Sequence, residues 1–419
     1  GTLTGDWNGW RGKLDAAGIR FELQEQGELW ANLTGGLRRG VTYDGLTIAG
    51  IRVDLNTLVG WTGANFFVSA YQIHGRGPTP NLVGSLQLVS GAEATRDTKL
   101  YALWLEQSLF KDRLSIRLGQ GGANDELMTA QYGILFLNSS FGFPSAAAED
   151  LPSGGPNYPL ATPFVRAKYK ATDQLTVLAA LFNGDPAPPG TDDPQLRDRG
   201  GTAFRLNDHA LAIAELWYST NQGEHATGLP GTYKLGAWFS SSRYTDELRA
   251  TNGLSLANPA SSGVAASHSS NYAIYGIVDQ MVWQRPGAPD QGIGLFLQVM
   301  GTPAGYNLAN LFVLAGMNWK APFAAREHDV FGLGVAYLGI SPAARRFSND
   351  VVFFTGRGSP YRSNETALEA TYLYQVTPWW TVQPDAQFVI NPGAGIPSAA
   401  SAVPLKNAFL LGVRATVQF

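Results

Sequence analysis

The side chains best suited to chemistry are charges on the polar faces of otherwise apolar, alternating segments. They are Arg52 and Asp54, Glu106, Arg117, Arg166 and Lys168, and Arg414, with Asp125 and Glu126 in the stretch between Arg117 and Arg166. An arginine beside a carboxylate offers donors and acceptors together, so the pair can replace water around a hydroxyl group in both of its roles. Trp104 shares the polar face of Glu106 and is expected to offer an apolar face to a pyranose ring. Catalytic readings fare badly. Asp125 and Glu126 are adjacent, but a retaining glycosidase needs its carboxyls about 5 Å apart across a cleft, and neighbours in one helical turn point in different directions. Capping of a helix accounts for both. The histidines (His74, His209, His225, His268 and His328) are nowhere spaced i, i+2 or i+4, so no zinc signature is present. Glu327-His328-Asp329 reads as a solvated turn, and there is no Walker A loop and no G-x-S-x-G elbow. We expect no catalytic residue, no metal and no cofactor.

The elements that must position these charges are strands. The chain has 419 residues, a formal charge of -3 and no cysteine. Only 15% of its residues are charged, against about 25% in an average soluble domain. A near-neutral charge argues against a nucleic-acid partner, which needs a basic surface to displace counterions. The lack of cysteine suits an oxidising compartment, and the start at Gly1 suggests a processed form. The longest apolar run, Val330–Ile340, is far below the ~20 residues of a spanning helix. It alternates large (Phe331, Leu333, Val335, Tyr337) with small (Gly332, Gly334, Ala336), which is a strand period.

Sixteen segments repeat this alternation: 21–33, 45–60, 64–75, 98–109, 113–121, 164–170, 174–183, 209–221, 230–243, 271–285, 291–302, 310–320, 330–340, 364–376, 380–391 and 407–419. Many reach nine residues or more, the length of a membrane-barrel strand rather than the ~5–6 of a soluble one. Short connections (61–63, 110–112, 171–173, 286–290, 321–329, 377–379) alternate with long ones (34–44, 76–97, 122–163, 184–208, 244–270, 341–363, 392–406). That segregation is a barrel signature. Trp61, Phe110, Tyr169, Trp283, Trp319, Trp379, Trp380 and Phe419 mark the short-turn edge, as aromatic rings do at a membrane interface. Residues 6–17 and 123–132 predict helices, capped by Asp6 and by Asn124 or Asp125. The expected architecture is an all-β, transmembrane antiparallel β-barrel of about 16 strands. It forms one domain over 1–419, with a periplasmic helical segment at 1–20 and loop 122–163 folded into the lumen as a constriction.

Several stretches resemble the carbohydrate-selective porin family of the OprB type. Asp6-Trp7-Asn8-Gly9-Trp10-Arg11-Gly12-Lys13-Leu14 through Gly18-Ile19 is similar to that family's opening. Leu103-Trp104-Leu105-Glu106-Gln107, Asp112-Arg113-Leu114, Arg117-Leu118-Gly119 and Asn124-Asp125-Glu126 match its middle. Tyr374-Gln375-Val376-Thr377-Pro378-Trp379-Trp380, Gln383-Pro384-Asp385, Asn391-Pro392-Gly393 and the terminal Phe419 match its close. Gln120-Gly121-Gly122 departs from the pattern, where a more basic or aromatic run is expected. The resemblance implies a sixteen-stranded channel of the bacterial outer membrane for diffusion of small sugars, glucose among them.

The expected function is passive, substrate-preferring diffusion of mono- and oligosaccharides through a narrow water-filled channel. Arg52, Asp54, Trp104, Glu106, Arg117, Asp125, Glu126 and Arg166 are expected to line its constriction. A general or anion-preferring porin is the alternative. A surface adhesin or receptor using loops 244–270 and 341–363 is a third reading, and a soluble β-rich carbohydrate enzyme a fourth. Expected partners are small sugars and outer-membrane lipid, with the barrel a monomer or a trimer.

Overall fold

The computed structural model describes residues 1–223, 226–356, 362–396 and 403–419. His225 and parts of the predicted loops 341–363 and 392–406 lie outside them. Eighteen strands follow in order: β1 (Ile19–Gly36), β2 (Gly40–Asp54), β3 (Ala64–Gly75), β4 (Asp97–Leu109), β5 (Leu114–Gly121), β6 (Thr162–Lys170), β7 (Leu175–Asn183), β8 (Ala210–Thr220), β9 (Gly231–Ser240), β10 (Tyr244–Ala250), β11 (Ala265–His268), β12 (Asn271–Arg285), β13 (Ala288–Gly301), β14 (Ala309–Lys320), β15 (Val330–Ile340), β16 (Glu365–Thr377), β17 (Trp380–Ile390) and β18 (Lys406–Gln418). Sixteen of them close into a barrel, each antiparallel to its neighbours, with β18 sealing onto β1 and β12 onto β9. β10 and β11 form a separate two-stranded sheet inside the connection from β9 to β12.

Strict alternation sets the two faces of the wall, because successive side chains point to opposite sides. On β1, Leu23 and Leu29 are exposed outward while Glu28, Trp30 and Asn32 are buried inward. The same division holds on β13, where Leu295, Leu297 and Val299 face out and Phe296 and Met300 face in. One outward carboxylate breaks the apolar face. Glu25 accepts from Thr47 Oγ1 and pairs with His74 Nε2 at 2.8 Å across β1–β3, which leaves neither oxygen unsatisfied.

Four expectations are corrected. The predicted strand 45–60 stops at Asp54, and Leu55–Val59 forms a short helix, α2, before β3. Leu55 and Val59 are four apart, a spacing that suits one face of a strand or a helix equally. Asp54 decides between them by accepting from the backbone N–H groups of Asn56 and Thr57 at 2.9 and 3.3 Å, the action of an N-cap. The β1–β2 connection is only residues 37–39, not 34–44. The expected helix over 123–132 reduces to a single turn, Ala123–Asp125, with another at Tyr132–Leu135. The N-terminal helix, α1, is Trp10–Ala16 rather than 6–17, and Gly18 ends it at φ +83°.

The core lies inside the barrel. Loop 122–161 sends Leu127, Met128, Phe136, Phe141 and Phe143 onto the inward faces of β7–β16, where they meet Leu178, Phe182, Ile213, Trp238, Tyr275, Phe296, Phe312 and Leu338. Phe136 and Phe141 stack with ring centres 4.3 Å apart and lean on Phe296. A short helix, α3 (Ser145–Asp150), continues this packing with Ala146 and Ala147. Loop 76–96 adds a second cluster, setting Leu82, Val83 and Val89 against Trp30, Val389 and Leu410.

Candidate functional site

A belt of charges runs around the inward face from β1 to β9. Register builds it. Glu106 on β4 faces Arg117 on β5, and Arg117 faces Arg166 on β6. Two arginines directly opposite repel, and carboxylates from both sides resolve this. Glu106 Oε2 accepts from Arg117 at 2.6 Å and from Arg166 at 3.0 Å. Glu126, carried in by the loop, pairs with Arg166 at 2.7 Å and with Lys168 at 2.9 Å. Arg166 is 3% exposed, and its remaining reach goes to Ser115 Oγ at 2.7 Å. Arg52 pairs with Glu22 at 3.3 Å.

Two tryptophans are built into the belt between cations. The Arg117 guanidinium lies 4.1 Å from the Trp104 ring centre and that of Arg52 5.6 Å, with Phe67 tilted against the same ring. Lys168 and Lys234 lie 4.8 and 4.4 Å from Trp217. Ring quadrupoles attract such cations, so each tryptophan holds two positive groups in place. Trp104 is 6% exposed. This corrects the expectation of a free ring face, because the face is already covered by guanidinium. Gly119 stands opposite Trp104 at φ +144°, and a Cβ there would lie 2.1 Å from the Leu103 carbonyl.

The structure therefore brings Arg52, Trp104, Glu106, Arg117, Glu126 and Arg166 together. Asp125 sits beside them but turns away, accepting from the Gly122 N–H at 3.4 Å and the Tyr101 hydroxyl at 3.4 Å. Burial pushes its carboxyl up to about 6, against the opposing pull of Arg117. For Glu126 burial also pushes upward, but Arg166 and Lys168 prevail and hold it below its ordinary value. Asp54 does not join. It caps α2 at the short-turn end, half-buried.

Sequence reasoning missed the residues that hold the loop. Polar side chains from the inner wall bind its backbone, strand after strand. Glu215 on β8 accepts from Met128 N–H at 2.7 Å, and Asp279 on β12 from Gln131 and Tyr132 at 2.9 and 3.0 Å. Glu369 on β16 accepts from Leu137 and Asn138 at 2.6 and 3.1 Å. Lys234, Gln298, Asn318 and Gln383 donate to the carbonyls of Thr129, Met128, Tyr132 and Leu135. Glu365 serves loop 76–96 the same way, through Leu86 and Gln87. The available signal was an acid at an inward position of an apolar strand, as Glu369 is between Leu368 and Ala370. Between the two loops a cavity of about 200 Å³ opens toward Gln26, Ser90, Asn124, Asn157 and Tyr158.

A closed barrel with an apolar outside, aromatic residues at the turns and a charged interior defines an outer-membrane porin. The sequence profile of the "Carbohydrate-selective porin, OprB family" matches residues 38–419, and the chain belongs to that family. It is 25% identical to Porin B of Pseudomonas aeruginosa over 93% of this chain and 87% of that one. It is 20% identical to the putative porin QuiX of Acinetobacter baylyi, over 94% and 89%. The high-pH structure of Pseudomonas putida OprB superposes with a TM-score of 0.87 at 24% identity, covering 100% of this chain and 98% of that one. The protein is an outer-membrane porin for carbohydrate.

Proposed function

We propose that loop 122–161 and the charged belt together form the constriction, and that monosaccharides such as glucose pass it as single, weakly held molecules. The observation that carries this reading is the unbroken series Arg117–Glu106–Arg166–Glu126–Lys168. Donors and acceptors alternate along it, so a sugar can exchange its water for protein partners hydroxyl by hydroxyl. Passage without an energy source requires binding weak enough to permit exit. The test is channel conductance in a planar bilayer during glucose titration. A saturable fall in current supports the reading; a current indifferent to glucose overturns it.

One observation favours a second reading. Arg52, Arg117, Arg166, Lys168 and Lys234 gather on the inward face of β2–β9, a cluster of cations that suits small anions. Reversal potentials across a salt gradient separate the two. Strong anion selectivity without glucose block selects the second.

A further inference from the structure

The bilayer-facing wall has a deep furrow near its short-turn end. Along β1–β3 the outward side chains alternate large and small. Ala49 and Ala70 face each other in register and form the floor, and Phe21, Leu23, Ile51 and Val68 form the rims. The N-terminal segment and the last residue close one end. Trp7 leans on Phe21 at 6.1 Å, and Phe419 lies beside them. The furrow measures about 480 Å³. Glu22 and Ser69 border it as well, but Glu22 turns inward to Arg52 and Ser69 is buried in the wall, so Thr4 and Arg11 are the polar side chains that face it.

Arg11 stands at its mouth with its charge uncompensated. The guanidinium lies 4.2 Å from the Trp7 ring centre and donates to Thr2 Oγ1 at 2.7 Å and Thr4 Oγ1 at 3.1 Å. Its Nε is buried without a partner, and among the described residues it makes no ion pair. The nearby acids are engaged elsewhere. Asp15 pairs with Arg20, and Asp6 accepts from the Gly12 N–H. Two residues on, Lys13 rides over Trp10.

An apolar furrow ending at a cation without a counter-ion is complementary to an amphiphile with an anionic head. The guanidinium fork matches phosphate oxygens, and an acyl chain needs only contact with apolar side chains. We propose that this furrow is a phospholipid site, with one acyl chain over Ala49 and Ala70 and the phosphate on Arg11. The site lies on the outside of the wall and shares no residue with the sugar path.

Native mass spectrometry of the whole protein, released from detergent micelles, tests the proposal by titration with phosphatidylglycerol and, separately, with diacylglycerol of the same chains. The parent should hold one phosphatidylglycerol at least fivefold more tightly than diacylglycerol. Arg11→Gln should remove that preference, and Ala70→Leu, which fills the floor, should weaken both lipids severalfold. Glucose block of conductance reports that each variant is folded and should not change. Equal retention of the two lipids by the parent, or unchanged retention in both variants, overturns the proposal. So does a dimer of the parent that Ala70→Leu abolishes, since the furrow would then receive a second copy.

Discussion

The two arcs of the barrel wall treat their inward faces differently. From β1 to β6 the inward side chains pair with one another: Glu22 with Arg52, and Glu106 with Arg117 and Arg166. From β7 to β16 they serve the loop instead, through apolar packing and through carboxylates and amides spent on its backbone. The second arc is packed and largely apolar, the first charged. A buried carboxylate accepting two N–H groups satisfies three costly groups at once. A charge beside water gives up less and remains available to a passing solute. Charge pairing and support of the loop thus fall on different sides of one tube.

Breaking the packed arc should have the largest effect. Glu369→Ala strands the N–H groups of Leu137 and Asn138, and an unsatisfied buried group costs about 1–3 kcal/mol. Stability should fall by about 3 kcal/mol, conductance should rise severalfold, and glucose block should vanish. Thermal unfolding in detergent and single-channel recording check both. A variant with unchanged conductance means that the loop holds its place without this contact.

In the charged arc, Arg117→Ala removes one of the two cations on Glu106 and uncovers Trp104. The expected result is a wider passage with several-fold weaker glucose block and a stability loss near 1–2 kcal/mol, in the range of charged hydrogen bonds. Equal glucose block in parent and variant would separate Arg117 from the sugar path.

Acidification sharpens the same contrast. Asp125 is raised to about 6, so it loses its charge as pH falls through 6, and the burial cost of that charge, felt above pH 6, is relieved below it. Lowering the pH from 7 to 5 should therefore shift the reversal potential toward anions. Glu93, pushed up to about 7 by burial, discharges in the same window. Asp125→Asn should blunt the shift rather than abolish it, and an undiminished shift would exclude Asp125 as a contributor. The smallest effect belongs outside both arcs. Asp54→Ala removes a helix cap and should lower thermal stability in detergent slightly while leaving conductance and glucose block as they were.

Strands were legible because burial on one face imposes a two-residue period that nothing else in this chain imitates. β3, β12 and β15 run over the residues their alternation predicted. Inward parity also placed Arg52, Glu106, Arg117 and Arg166 on one surface. What parity cannot supply is the identity of a neighbour. Trp104 was assigned to the correct side, yet the side chain that covers it comes from the next strand, diagonally across the pair. The loop contacts were harder still. Met128 to Glu215 spans 87 residues and Leu137 to Glu369 spans 232, and no local pattern registers such distances. The segment 123–132 shows the same limit, since its wall contacts, not its helix propensity, decide its path.

The way the loop is fastened carries a consequence for how such channels diversify. From the loop, Glu215, Asp279 and Glu369 take only peptide N–H groups, which every residue type except proline supplies alike. These backbone contacts are therefore blind to the loop's side chains, and a lineage can exchange those that do not pack in the core while the path of the chain stays put. Substrate preference becomes editable text on a fixed page, and a library randomised at Asn124 and Asn157 should yield folded barrels with altered appetites.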